Sequence, residues 1–341
     1  MGAFNVLKRI IILPRIYFSL KKDVKKQKLY LEAYLPEHLN KVNLNNDGSV
    51  DEEDISKIKK YYGLGVPAIL GESFCTLRGS IMDQNERECS TLSGAITGLF
   101  DDFFDKNRTN AEHIKQMLDT PENINPINDN QKLSLELYKL FLNKLPNQAL
   151  TKEFISNIYK VQLDTLKQEQ PTITNQEILD ITNRKGGYSV LFFRSVFGLN
   201  LDESEYHALF NLGALMQLGN DIFDVYKDHN SKIYTLVTRT EDIKELKIIF
   251  IKQHILTNKL LLSMNYPIEN RMLFINKINL GLSRCYVCLN QLEKLQKKTS
   301  NIFNIELYTR KEIICDMEKP LNILKSLFIF VKQNEIYKKE N

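Results

Sequence analysis

The chain has 341 residues, 43% of them hydrophobic and 26% charged, which predicts a globular protein with one large core or two smaller ones. Its 14 Gly, 9 Pro and scarce strand-like alternation predict an all-α fold. The net charge of +4 is lopsided: residues 1–30 carry eight Lys or Arg against Asp23, which leaves −3 on the remainder and excludes a nucleic-acid binder by charge.

Residues 4–20 interleave bases with Val6, Leu7, Ile10 to Leu13, Ile16, Tyr17 and Phe18. Arg15 interrupts the apolar run and no small-residue cleavage site follows, which argues against a cleaved signal peptide. No stretch reaches the ~18 apolar residues of a membrane span. Two readings stay open for this basic amphipathic segment: peripheral contact with a membrane surface, or an apolar side packed over the helical body. The remainder, 31–341, reads as a single α-helical domain. Five cysteines, an odd number without a signal peptide, point to a reducing cytoplasm. Cys285 and Cys288 sit inside a helix-like run without a second pair, so they read as core thiols.

Residues 43–54 resemble an EF-hand calcium loop, with Gly48 at the turn position, Val50, Asp51 at position nine and Asp54 at position twelve. Asn43 stands where the first Asp belongs, and no second hand follows. The competing reading is a turn at Asn46-Asp47-Gly48, then Ser49 as N-cap with Glu52 three residues on. A glycine-rich run from Tyr61 to Ser80 has Arg78 as its one arginine. The next helix, from about Glu88, places Gly94 and Gly98 on one side below an acid cluster, Asp101, Asp102 and Asp105. Those small residues leave either a cavity or a close helix contact. Phe100, Phe103 and Phe104 make this run too apolar for a solvated helix end.

A loop framed by Pro121 and Pro126 follows a short helix near 111–118, and further helices are expected over 133–145 and 151–168. The next, from about Asn175, contains Arg184-Lys185-Gly186-Gly187-Tyr188. Paired glycines cost ~1 kcal/mol each relative to Ala, so a kink or unwound turn is expected there. A long helix from Glu203 ends in Asn-Asp-Ile-Phe-Asp-Val-Tyr-Lys-Asp, 220–228. At about 100° per residue, Asn220, Asp224 and Asp228 share one stripe. Lys227 and His229 lie beside it, and His229 reads as a helix-end residue. Lys232 follows in a short loop, and helices are expected over 241–264, 268–298 and 305–332. Two acid clusters facing each other at ~6 Å would cost roughly 3 kcal/mol per like-charge pair, so a cation is expected between them. Carboxylate and amide oxygens favour Mg²⁺ over zinc, which takes His or Cys.

Asp101-Asp102-Phe-Phe-Asp105 resembles the aspartate-rich motif of class I terpene synthases, and Asn220 to Asp228 resembles their second metal motif. Asp224 stands where that family has Ser or Thr, and Asp228 where it has Glu. With Gln217 and Asp221 included, the stretch also resembles the second aspartate-rich motif of trans-isoprenyl diphosphate synthases. The resemblance implies an all-α isoprenoid synthase bundle around a central cavity and three Mg²⁺ ions bound with substrate diphosphate. The metals would be held by Asp101, Asp102, Asp105, Asn220, Asp221, Asp224 and Asp228. Arg184, Lys185, Lys227, Lys232 and Arg78 would hold the departing diphosphate. Phe100, Phe104, Tyr188, Phe193 and Phe223, with space left by Gly98 and Gly187, would line the prenyl pocket.

The implied reaction is ionisation of an allylic prenyl diphosphate, then cyclisation or elimination. The rival is chain elongation or head-to-head transfer. Elongation needs a second, metal-free diphosphate site, and here Asp105 is followed by Lys106, Asn107 and Arg108 rather than by an Arg-Arg pair. From another class, the chain could be a non-catalytic calcium- or membrane-binding helical protein. A homodimer is compatible with each reading.

Overall fold

In the computed structural model the chain is all-α, and no strand occurs among the described residues. These are all but Met1, Asn43, 106–108, Leu199 and 340–341; at 2–5, Glu37, Lys41, Asp105, 334–336 and 338–339 only the backbone is described. Among them no helix is long and apolar enough to cross a membrane. The basic N-terminal segment is part of one helix, Gly2–Lys41. Contacts divide the chain into two compact units, one of Met1–Ile16, Lys160–Leu191 and Asp202–Asn341, the other of Tyr17–Tyr159 and Phe192–Leu201.

In the second of these, the helix Gln84–Asp105 packs on Asp129–Lys144 and on the segment 57–71, with Leu92, Ala95, Ile96, Leu99 and Phe103 buried. Its glycines serve close packing rather than a cavity. A Cβ on Gly94 would lie 2.5 Å from the Tyr62 carbonyl oxygen, and one on Gly98 2.9 Å from the Tyr62 ring. The loop before this region turns at Asn46 and Gly48, both with positive φ, as the turn reading expects. Its acids bind backbone: Asp129 accepts from the amides of Asn45 and Asp47, while Asp47 accepts from the amides of Ser49 and Asp129. The N-cap is Asp51 in a reciprocal box with Asp54, not Ser49 with Glu52. An aspartate ranks with serine as a cap, and starting the helix two residues later buries Asp54.

In the other unit, the helix Glu203–Asn230 packs against Ile243–Ser263 and Ile268–Gln296, and Pro320–Lys339 packs on the latter. Asp202 caps the central helix by accepting from the Glu205 amide. Cys285 sits against Gly219 and Cys288 against the Ile222 carbonyl, so both are core thiols, as expected. The helix expected over 305–332 does not form as one piece. A turn at Ile305–Leu307 and a short helix Arg310–Ile313 precede a new helix that starts at Pro320. Proline fits a first helical position and disfavours helix in the residue before it.

His254 is fully buried between Tyr286, whose hydroxyl lies 2.9 Å from Nδ1, and Asn279, whose Oδ1 lies 2.7 Å from Nε2. Burial lowers its pKa from 6.5 to about 4, helped by the charge of Arg9 and opposed by the Asn279 hydrogen bond. The unfolded chain therefore binds a proton that the folded chain refuses. Stability is complete above about pH 6.5 and falls as pH drops toward 4, by about 3 kcal/mol in total. Denaturant unfolding of the wild type and His254→Gln between pH 7 and 4.5 checks this: the variant should lose about one proton's worth of slope.

Candidate functional site

Predicted site residues converge on the acidic face of the helix Glu203–Asn230, where burial and neighbouring charge raise two carboxyls. The helix carries Gln217, Asp221, Asp224 and Asp228 at i, i+4, i+7 and i+11, so all four lie along one side. Asp221 is buried, with 6% of its surface exposed. It accepts from Gln217 Nε2 at 2.9 Å and from Thr182 Oγ1 at 3.3 Å. Burial pushes its carboxyl up to about 6, against the pull of Gln217 and of the Lys185 charge. Asp228 is pushed up to about 7, first by burial and then by the charges of Asp221 and Asp224, with Lys227 and Lys185 opposing. Asn220 is on the exposed rim and donates to Asp224 Oδ2 at 3.2 Å. The buried member of the face is therefore Asp221, one residue round from the expected stripe.

The expected break at Gly186-Gly187 does not occur, and Asn175–Ser195 is one continuous helix. The glycines serve a crossing instead. A Cβ on Gly186 would collide with the Gly213 carbonyl, one on Gly213 with the Gly186 carbonyl, and one on Gly187 with the Phe210 ring. This close approach lets Thr182, one turn before Gly186, reach Asp221. Gly187 thus offers no pocket space: Phe210 fills it, and Tyr188 lies edge-on to the same ring with centroids 5.4 Å apart. Alanine for an interior helical glycine ordinarily stabilises by about 1 kcal/mol. Here Gly186→Ala should destabilise by about 2 kcal/mol through overpacking, read as a lower urea midpoint.

Lys185 acts on the acidic face, but Arg184 does not. Its guanidinium donates to Asp180 at 2.7 Å and to Asp164 at 2.9 Å, so two carboxylates hold it where a diphosphate was expected. Lys227 and Lys232 are exposed, the latter in a turn with φ of 57° just after the helix. Phe223 is half-buried on the same helix.

The first acid cluster is more committed to its own unit. Asp102 is 4% exposed and its two oxygens lie 2.5 and 2.7 Å from Lys57 Nζ, so it is an ion-pair partner rather than an open metal ligand. Asp101 is half-buried. The Asp105 side chain and Lys106 to Arg108 fall outside the described residues. Phe100 and Phe104 are half-buried and pack on Phe103, Ile114, Met117 and Leu135. Phe193 is buried beside Phe192, and the space at Gly98 is taken by Tyr62. Arg78 donates through both terminal nitrogens to Glu86 and lies over the Phe197 ring, so it has a structural assignment.

Thr182 and Lys57 were not legible as site partners, because each reaches its acid from a distant segment. Gln217 was, since it stands one turn before Asp221. Among the described residues no three His, Cys, Asp or Glu side chains are grouped so as to hold a metal ion. The donor set of Asn220, Asp224 and Asp228 nonetheless fits a hard cation. It is oxygen-only and carries mutually repelling charge, and Mg²⁺ is held by one or two carboxylates completed by water and phosphate oxygens. Comparison with known family models, curated proteins and solved structures finds no match for this chain.

Proposed function

We propose that the chain is a magnesium-dependent enzyme that ionises an allylic prenyl diphosphate and cyclises or deprotonates the resulting cation, as class I terpene synthases do. The reading rests on one observation above others. Asp221, Asp224 and Asp228 share a partly buried face on which burial and mutual repulsion raise two carboxyls into the range of pH 6 to 7, beside Lys185 and Lys227. A site that holds negative charge at such cost is poised for a cation and its anionic partner.

Asn220, Asp224 and Asp228 would hold Mg²⁺, which supplies Lewis-acid neutralisation of the leaving diphosphate. Gln217 and Thr182 fix Asp221, and the Lys185 charge acts on the same face. Lys185 and Lys227 donate to the departing group as its charge grows. No proton need be taken from substrate before C–O cleavage, which suits a face made of metal ligands and donors without a nucleophile.

Elongation is the less favoured chemistry, because the one arginine of the upstream glycine-rich run, Arg78, is taken by Glu86. The test is incubation with C10 to C25 prenyl diphosphates and Mg²⁺, with and without isopentenyl diphosphate, followed by product analysis. Hydrocarbons or alcohols plus inorganic diphosphate are expected, with isopentenyl diphosphate untouched. A longer prenyl diphosphate would replace this reading by a transferase, and no consumption of any allylic substrate would overturn both.

A further inference from the structure

The outer face of the N-terminal helix is apolar over its first turns and basic thereafter. Leu7, Ile11 and Phe18 are 55%, 70% and 66% exposed and stand at i, i+4 and i+11, with Pro14 between them and Ile10, 50% exposed, at the margin. Lys22 and Lys25 continue the same side of Gly2–Lys41 one turn on. Every Lys and Arg of the first thirty residues is exposed except Arg9.

Arg9 explains which side faces inward. It lies on the opposite side from Leu7 and Ile11, donates to the Phe330 carbonyl at 2.7 Å and to Gln333 Oε1 at 2.9 Å, and covers the Phe330 ring. The helix is thus anchored by Arg9 and buried Ile16, and its apolar row is left outside rather than folded in. Single exposed apolar residues are ordinary, but a helical row of them bordered by bases is not.

We infer that this face seats on an anionic bilayer surface, with Leu7, Ile11 and Phe18 entering the headgroup boundary and Lys22 and Lys25 meeting lipid phosphates and carboxylates. Charge selects the occupant. A second copy of the chain would bring the same seven exposed bases against these, whereas anionic lipid complements them, and the apolar row gains from the acyl boundary beneath. The inference is independent of the catalytic reading, and its test reads no turnover.

The full chain is floated with vesicles of phosphatidylcholine alone and of phosphatidylcholine with one-quarter phosphatidylserine, at low and high salt. Binding to the anionic vesicles only, weakened by salt, is expected. Phe18→Asp should abolish it, and Lys22→Ala with Lys25→Ala should weaken it about 30-fold. Both variants should keep the wild-type unfolding midpoint, because these side chains are exposed. Equal binding to neutral vesicles, no binding to either, or a Phe18-dependent dimer in sedimentation without vesicle binding would each overturn the inference.

Discussion

Asp224→Asn should cut Mg²⁺-dependent diphosphate release by about 100-fold or more while leaving the helical content unchanged. Asp224 is half-buried, accepts one hydrogen bond from Asn220, and is one of the charges that push Asp228 upward. Removing that charge relieves repulsion inside the free protein. The unfolding midpoint of the variant should therefore stay level or rise slightly as activity falls, the trade-off of a site that stores unfavourable charge for function. A structural carboxylate would behave oppositely, losing stability with activity. Near wild-type turnover in Asp224→Asn would remove the acidic face from catalysis. Asp101→Asn probes the other motif, and Asp102→Asn would break the ion pair with Lys57.

What was legible in the sequence depended on whether a signal was local. The all-α fold followed from periodicity and sparse Gly and Pro, and the helices ending at Asp105, Lys144 and Asn230 lie close to where their apolar spacing puts them. The failures came where tertiary contact reassigns a locally correct cue. Gly186-Gly187 carries the propensity of a break, yet the helix stays whole because Gly213 and Phe210 pack into the space that missing side chains leave. Arg184 and Arg78 have the charge a diphosphate needs, but Asp164, Asp180 and Glu86 already hold them. Phe100 and Phe104 stand beside the acid cluster in sequence, and each puts part of its ring against the core of Phe103, Ile114, Met117 and Leu135. At the second cluster a helical wheel places Asn220, Asp224 and Asp228 on one side of the helix, and the structure adds Gln217 and Asp221 to that side. Which of its aspartates is buried is decided by the neighbouring helix, where Thr182 donates to Asp221.

Lys57→Met should destabilise the protein by about 3–5 kcal/mol, a larger effect than any other single change considered. The Lys57–Asp102 pair is close, with N–O separations of 2.5 and 2.7 Å, and both side chains are mostly shielded, at 17% and 6% exposure. Solvent screening that makes surface ion pairs nearly worthless is therefore weak here. Asp54, also buried, shares a hydrogen bond with Asp102, and burial raises its pKa, so the removal of Lys57 takes a close cation away from two neighbouring buried acids. Most of the cost is the buried acid charge left less well compensated rather than the loss of the pair itself. Neutralising the partner should accordingly rescue: Lys57→Met with Asp102→Asn should recover most of the lost stability, giving a coupling of at least about 2 kcal/mol in a denaturant double-mutant cycle. The cycle also decides what Asp102 is for. If the doubly substituted protein regains stability and releases diphosphate at the wild-type rate, Asp102 serves the fold alone and the metal chemistry belongs to the other acids. If stability returns but turnover does not, Asp102 has a catalytic task that its bond to Lys57 in this conformation conceals.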